Sequence, residues 1–453
     1  MIKKTLLALG LISMVFPLAA YASEADIANL TMGLDSLWIM LAFILVLLMQ
    51  GGFILLEAGS TRMKNAGHVA GKTIFTVGLA AIVYWAVGYG IAFGSSASEG
   101  MSPFIGWGEF FFSPATEVLE GESFPASVFF LFQLAFAAIS LSIAWGGFAE
   151  RAKLGSYVIF TLFYVSFIYP IVAHWIWGGG WLADHGAQDF AGSTVVHLSG
   201  AVAALVATIL LKPRIGKFNK DGSPNEILGH NQVFTALSVL LLWVGWFGFN
   251  AGSTVAIGDG FFAYVGFTTM IAAGAGGVSA LLISWAVSGK ADITSMLNGV
   301  LGGLVAITAS CAFVDPWAAA VIGLIAGVLV FYSVKMFEKL KIDDPIYALS
   351  VHGMAGVWGT LANGIFATQA LAEKVGVGQG GLLDTGSFKQ LWVQIESVVF
   401  AGVFVAVSSF IVLGIMKKVM GFRVTEEQEI VGLDLSEHGA YGYPEQLTKS
   451  ENA

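Results

Sequence analysis

The stretch Asp189–Gly200, "DFAGSTVVHLSG", sets a histidine eight residues past an aspartate inside an otherwise lipid-like segment. Asp344–Gly356, "DPIYALSVHGMAG", repeats the step, with Val before each histidine and Gly soon after. An ionisable side chain in an apolar segment needs a partner or a purpose. The meaning of this pair depends on what surrounds it.

The chain is 57% hydrophobic and 11% charged, whereas ordinary soluble domains carry about 25% charged residues. Its mean hydropathy is +0.80. Glycine makes up 57 of 453 residues, which suits helices packed closely in lipid. These values predict a polytopic, all-α membrane protein. The net charge of −9 says little, because its distribution between loops matters more than its sum. The single cysteine, Cys311, excludes an internal disulfide and a multi-cysteine metal centre.

Residues 1–22 read as a signal peptide: Lys3 and Lys4, an apolar run, then Ala20-Tyr21-Ala22 as a cleavage pattern. The alternative is an uncleaved extra helix. Cleavage would leave Ser23 as the mature start, outside the cytoplasm. Residues 23–420 then form the membrane domain. Eleven apolar segments are long enough to cross a bilayer, near 36–57, 73–93, 125–148, 155–177, 193–211, 232–251, 261–287, 293–314, 316–337, 346–369 and 391–416. With the start outside, the inside loops hold Arg62, Lys64 and Lys72; Arg151 and Lys153; Lys212, Arg214, Lys217 and Lys220; Lys290; Lys335, Lys339 and Lys341; and Lys417, Lys418 and Arg423. The long outside loop carries Glu99, Glu109, Glu117, Glu120 and Glu122. Basic loops stay inside, so the N-terminus is expected outside and the C-terminus inside.

In that topology Asp189 precedes an inward span and Asp344 an outward one. Eight helical residues rise about 12 Å, which takes each histidine well into a hydrocarbon core about 30 Å thick. The matching segments are the fifth and tenth spans. The chain therefore divides into an inverted 5+5 repeat plus an eleventh helix, with its site at the midplane. A lone membrane histidine is commonly a hydrogen-bonded structural residue, but a symmetric pair at equal depth points to a transport path. A metal site is the competing reading, and two imidazoles without a carboxylate or thiolate cluster make a poor one.

Aromatic residues add a second signal. Phe132 and Phe136 lie four apart on one face of the third span, a spacing usual for packing or lipid contact. Trp175, Trp177 and Trp181 close the fourth span, where an interfacial belt is the default. "GWFGFNAGS" puts Trp246, Phe249, Asn250 and Ser253 at the outer end of the sixth, where ring faces can hold a small cation.

Taken in order, "LFQLAFAA", "ERAKLGSYVIF", "HWIWGGGWL", "DFAGSTVVHLSGA", "GWFGFNAGS", "DDPIYALSVHGMAGVWG" and "GFRVTEEQEIVGLDLSEHG" resemble the ammonium transporter family (Amt, with the Rh proteins as relatives), over residues 130 to 440. The resemblance implies an eleven-helix inverted repeat, a homotrimer in the inner (plasma) membrane, and a channel that takes ammonium and its analogue methylammonium. It implies that His197 and His352 are the twin histidines of the pore. Phe136 and Phe249 match the stacked phenylalanines that gate it. Trp177, Ser253, Phe132 and Phe136 match the outer recruitment site, with Asp189 supporting it and Trp246 lining the pore. Ammonium would lose its proton at the outer site and cross as ammonia, with or without a separate proton. Potassium, of similar size, has no proton to lose. No cofactor, metal or catalytic residue is implied. Two departures stand out. Ala309 in "ITASC" replaces a proline of some members, and Ala440 replaces a common Glu after His-Gly.

Residues 421–453 turn acidic and polar, which composition alone reads as a solvated end. The resemblance implies instead a regulatory tail that packs on the cytoplasmic face, links subunits and cooperates with a PII-type signalling protein, with Gly432 to Asp434 against the ends of neighbouring spans. Other function classes lack support. A transporter of another solute needs a larger substrate site, a membrane enzyme needs a nucleophile or metal cluster, and a pure sensor normally carries an appended domain.

Overall fold

The computed structural model describes residues 24–94, 103–114, 118 and 123–444. The expected leader, with Glu99, Glu117, Glu120 and Glu122, lies outside the described residues. Those described are helical, with isolated bridges in place of strands. Nine helices among them are long and apolar enough to cross a membrane. A helix satisfies its own backbone, which is what a lipid interior demands.

The long elements run in chain order. They are α1 (Glu24–Ser60), α2 (Met63–Phe93), α3 (Ala126–Gly147), α4 (154–176), α5 (Ser193–Leu211), α6 (Gln232–Thr254), α7 (Phe261–Ser288), α8 (Ile293–Ile307), α9 (Pro316–Lys339), α10 (349–366) and α11 (Lys389–Val419). Along α1, Ile39, Ala42, Val46, Met49 and Phe53 are buried, while Leu37, Leu41, Ile44 and Leu48 are exposed. The steps of three and four put one apolar face inward and a second, equally apolar, outward. An outward face of this kind is one that water does not favour. On the far side of the molecule α7, α8 and α9 touch backbone to backbone. A Cβ at Gly276 would sit 2.3 Å from the Gly299 carbonyl oxygen, so only glycine allows the approach.

Several expected boundaries move, beginning with the first span, whose helix starts at Glu24 and not near 36. The expected span 293–314 ends as a helix at Ile307, because the chain turns at Thr308 to Cys311. The freed carbonyls of Thr308 and Ala309 accept the N–H groups of Ala191 and Phe190 at 3.1 and 3.2 Å. The expected 346–369 is a helix only over 349–366. The second span begins well before 73, so Lys72 is no loop charge. It is buried inside α2 and paired with Glu57 of α1 at 2.5 Å.

Both histidine segments open with a wide π turn, Ser193–Leu198 in α5 and Leu349–Met354 in α10. Asp189 and Asp344 therefore do not start eight residues of regular helix, and the expected 12 Å rise does not apply. Each aspartate instead caps its turn. Asp189 accepts the N–H groups of Gly192 and Ser193 on Oδ1 and of Thr194 and Val195 on Oδ2, at 2.7 to 3.1 Å. Asp344 accepts those of Ala348 and Leu349 at 3.0 and 2.7 Å. The first turn of a helix leaves its N–H groups unpaired, and a carboxylate there satisfies them.

Candidate functional site

The two π turns cross at the centre of the molecule. There His197 and His352 lie with ring centroids 5.2 Å apart and planes within 16°, and their Nδ1 atoms are 3.2 Å apart. Both are buried, at 0% and 3% exposure. One Nδ1 must donate and the other accept. The pair thus shares one proton between its inner nitrogens and presents two different Nε2 atoms outward, one donor and one acceptor.

A stack of aromatic rings continues from His197. Trp246 lies 5.1 Å away at 17°, and Phe249 5.4 Å away at 28°. Phe249 stacks on Phe136 at 4.2 Å and 26°. Phe136 meets Phe132 at 4.7 Å and the Trp177 ring edge-on at 5.8 Å. The Phe132–Phe136 pair is therefore an internal contact and not a lipid-facing one, as its 2% exposure requires. Ser253 sits one turn beyond Phe249, half-buried, and donates its hydroxyl to the Phe249 carbonyl at 2.8 Å. That leaves the Ser253 oxygen as an acceptor. A Cβ on the neighbouring Gly252 would lie 3.3 Å from the Phe132 ring, so the Ala251–Thr254 turn that carries Ser253 packs close to Phe132.

Hydrogen bonds from behind hold these rings. The Trp177 indole N–H donates to the Asp189 carbonyl at 2.7 Å, and that of Trp246 to the Thr308 hydroxyl at 2.9 Å. Ser193 donates to Val305 O at 2.8 Å and accepts the Ala309 N–H at 2.7 Å. The Ala309 departure thus supplies a donor that proline lacks. Thr308, Ser193 and Phe53 were not singled out from sequence. Phe53, whose ring is 6.2 Å from that of His352, reads there as one more apolar residue of an apolar span. Nor were Gln188, Asn363 and Gln394, which form a buried amide cluster tying the Asp189 loop to α10 and α11.

On one face of the molecule the C-terminal segment is folded down, with α12 (Glu426–Val431) and α13 (Leu433–His438). It crosses three loops. Arg423 donates to Pro213 O at 3.0 Å and pairs with Glu429 at 2.6 Å, while Glu429 accepts the Ile215 N–H at 2.7 Å. Asp434 accepts the N–H groups of Gly67 and His68 at 3.1 and 2.7 Å, capping the main helical run of α2. Gly432 packs on Lys64 with φ +106°. Glu429, Leu433 and Asp434 are buried, so this segment is not the solvated end that composition suggests. Ala440 donates its N–H to Asp434 O at 3.3 Å, and docking proceeds without a glutamate there.

Under the same face Arg214 binds Asp343 through two nitrogens at 2.8 Å and Glu150 at 3.1 Å, and Arg62 binds Glu150 at 2.7 Å. Burial works against both carboxylates. The guanidiniums outweigh it, holding Asp343 and Glu150 below the usual carboxylate range.

A bundle of long apolar helices closed around an aromatic column and a buried histidine pair defines a polytopic membrane protein. Residues 37–443 match the model of the Ammonium Transporter Family, and the chain belongs to that family. It is 40% identical over 430 residues to ammonium transporter Amt2 of Archaeoglobus fulgidus, covering 92% of this chain and 89% of that one. It is 36% identical to the ammonium transporter of Bacillus subtilis, covering 91% and 99%. A solved structure described as a sensor Amt protein superposes with a TM-score of 0.83 at 37% identity, over 90% of this chain and 99% of that one. The crystal structure of Candida albicans Mep2 superposes at 0.78 and 27% identity, over 87% of each.

Proposed function

We propose that this ammonium transporter recruits ammonium at the outer end of the aromatic column, where the ion gives up a proton to water, and passes ammonia along the histidine pair. The observation that carries the reading is the 3.2 Å Nδ1–Nδ1 contact directly beneath the stacked rings. A cation held by Trp177, Phe132 and Phe136 gains about 0.5–2 kcal/mol from each well-placed ring face, and the Ser253 oxygen accepts one of its N–H bonds. Going deeper as an ion would cost several kcal/mol, since the rings offer no counter-charge. Ammonia avoids that cost and can hydrogen-bond to either Nε2 of the pair. The same pair can relay a proton, because a proton arriving on one Nε2 displaces the shared Nδ1 proton and releases the far one.

In this reading the eleven helices α1–α11 all cross the inner membrane, with the N-terminus outside and the folded-down tail in the cytoplasm. Three copies assemble through the outward apolar faces, and a PII-type protein meets the tail side. The test is uptake of labelled methylammonium into a transport-deficient host, with His197→Ala as the key variant. Uptake should fall below a tenth of wild type, or lose selectivity over potassium, at unchanged membrane abundance. Unaltered rate and unaltered selectivity together would sink the proposal.

A further inference from the structure

The tail-side end of α1 borders the passage at two levels. Phe53 stands beside His352, and Gly59 and Ser60 line a cavity of about 590 Å³ that also touches Tyr347 and Ser350. Between them Glu57 turns away from the passage, toward α2. Its Oε2 accepts from Lys72 Nζ at 2.5 Å, with side-chain exposures of 5% and 0%. Lys72 Nζ also lies over the rings of Tyr157 and Trp145, at 5.2 and 5.8 Å. Tyr157 meets His68 edge-on at 5.6 Å, and His68 Nδ1 is 3.0 Å from His438 Nε2 of the C-terminal segment. A line of contacts thus runs from the tail through His68 of α2, Tyr157 of α4 and Lys72 to Glu57 of α1, one helical turn from the Phe53 that stands beside His352.

From this line we infer that the Glu57–Lys72 pair is a positioning device, through which docking of the C-terminal segment sets the tail-side mouth of the passage. A buried ion pair contributes little net stability compared with apolar residues of the same volume, so packing alone does not explain it. What it adds is direction. Glu57 Oε1 is buried and has no hydrogen-bond partner among the described residues, so Lys72 is what fixes the carboxylate. A charge-assisted bond tolerates little displacement. When α2 shifts, the last turns of α1 must follow or strand two charges. Asp434 and His438 hold the start of α2, so the tail decides where α2 sits.

The inference rests on the transport reading for its functional meaning, and its test has one readout that does not. Methylammonium uptake and hydrogen–deuterium exchange over residues 53–60 are measured on the full-length protein. The variants are Gly432→Asp, which undocks the tail, Glu57→Gln with Lys72→Met, which removes the pair without leaving a lone charge, and Glu57→Lys with Lys72→Glu, which reverses it. Gly432→Asp should lower uptake several-fold and speed exchange over 53–60. The neutral pair should do the same, and adding Gly432→Asp to it should change either quantity less than twofold. The reversed pair sets a carboxylate against the Tyr157 and Trp145 rings, so it should recover part of the lost uptake and protection, and it should respond again to Gly432→Asp. Effects that multiply overturn the inference, as does a neutral pair with wild-type rate, exchange and response to Gly432→Asp. If the neutral pair does not fold, unchanged exchange over 53–60 on undocking overturns it. A wild-type protein without uptake refutes the transport reading, while the exchange data still decide this one.

Discussion

Trp177 and Asp189 share one hydrogen bond but predict different losses. Trp177 offers a ring face and is fixed by its N–H on the Asp189 carbonyl. Trp177→Leu removes about 0.5–2 kcal/mol of cation–π attraction, which is about 2- to 30-fold in apparent affinity. Uptake at low methylammonium should fall while the saturated rate holds; an unaltered apparent affinity would return Trp177 to a purely interfacial role. Asp189 accepts four backbone N–H groups, and each buried donor left unpaired costs about 1–3 kcal/mol. Asp189→Ala should therefore release the π turn that aims His197, and transport should fall more than in Trp177→Leu at every concentration. Full activity in that variant would show that the turn holds without its cap.

Among the elements, the loops on the tail side are fixed by charges that the sequence presents as ordinary basic loop residues. Arg214, 5% exposed, neutralises Asp343 and Glu150 together. Arg214→Met strands Asp343 and leaves Glu150 to Arg62 alone, and breaking such a buried pair costs about 3–5 kcal/mol. The sign of the pH dependence follows from the lowered carboxyls. Their contribution in the wild type is present above the ordinary carboxyl pKa and is lost only as pH falls through the lower folded values. The thermal stability gap between wild type and Arg214→Met should thus be widest near neutrality and shrink below about pH 4. A gap independent of pH would mean that the arginine acts through packing alone. What the sequence could not convey here is burial. Arg151, Arg214 and Lys72 carry the positive charge expected of inside loops, yet each is enclosed by residues far along the chain. Spacing did convey the π turns' cargo, because Asp189 and His197 recur as Asp344 and His352. It did not convey the turns themselves, since a wide turn has no residue signature in an apolar run.

At the scale of the whole molecule, the expected topology can be tested without transport. In a Cys311→Ser background, Leu383→Cys lies in the loop before α11 and Lys418→Cys near the tail-side end of that helix, both exposed. A membrane-impermeant thiol reagent on intact cells should label Leu383→Cys and spare Lys418→Cys; the reverse pattern would invert the assigned orientation. The membrane class and most helices were legible from hydropathy, and the residues that the structure gathers into the aromatic column and histidine pair from motif order. The short α8 was misjudged because the residues past Ile307 stay apolar while their backbone turns to pair with the Asp189 loop.

The rings of Phe136, Phe249, His197 and His352 lie within 28° of their neighbours down the column. They resemble the slats of a blind strung on one cord. No slat turns alone, because each ring is pressed against the next, and interiors packed this closely leave no free swing. On the proposed path a molecule moving down the column tilts several rings in sequence, so the rate of passage would belong to the row and not to any single phenylalanine. Trimming one slat loosens its neighbours as well, and widening one jams them all.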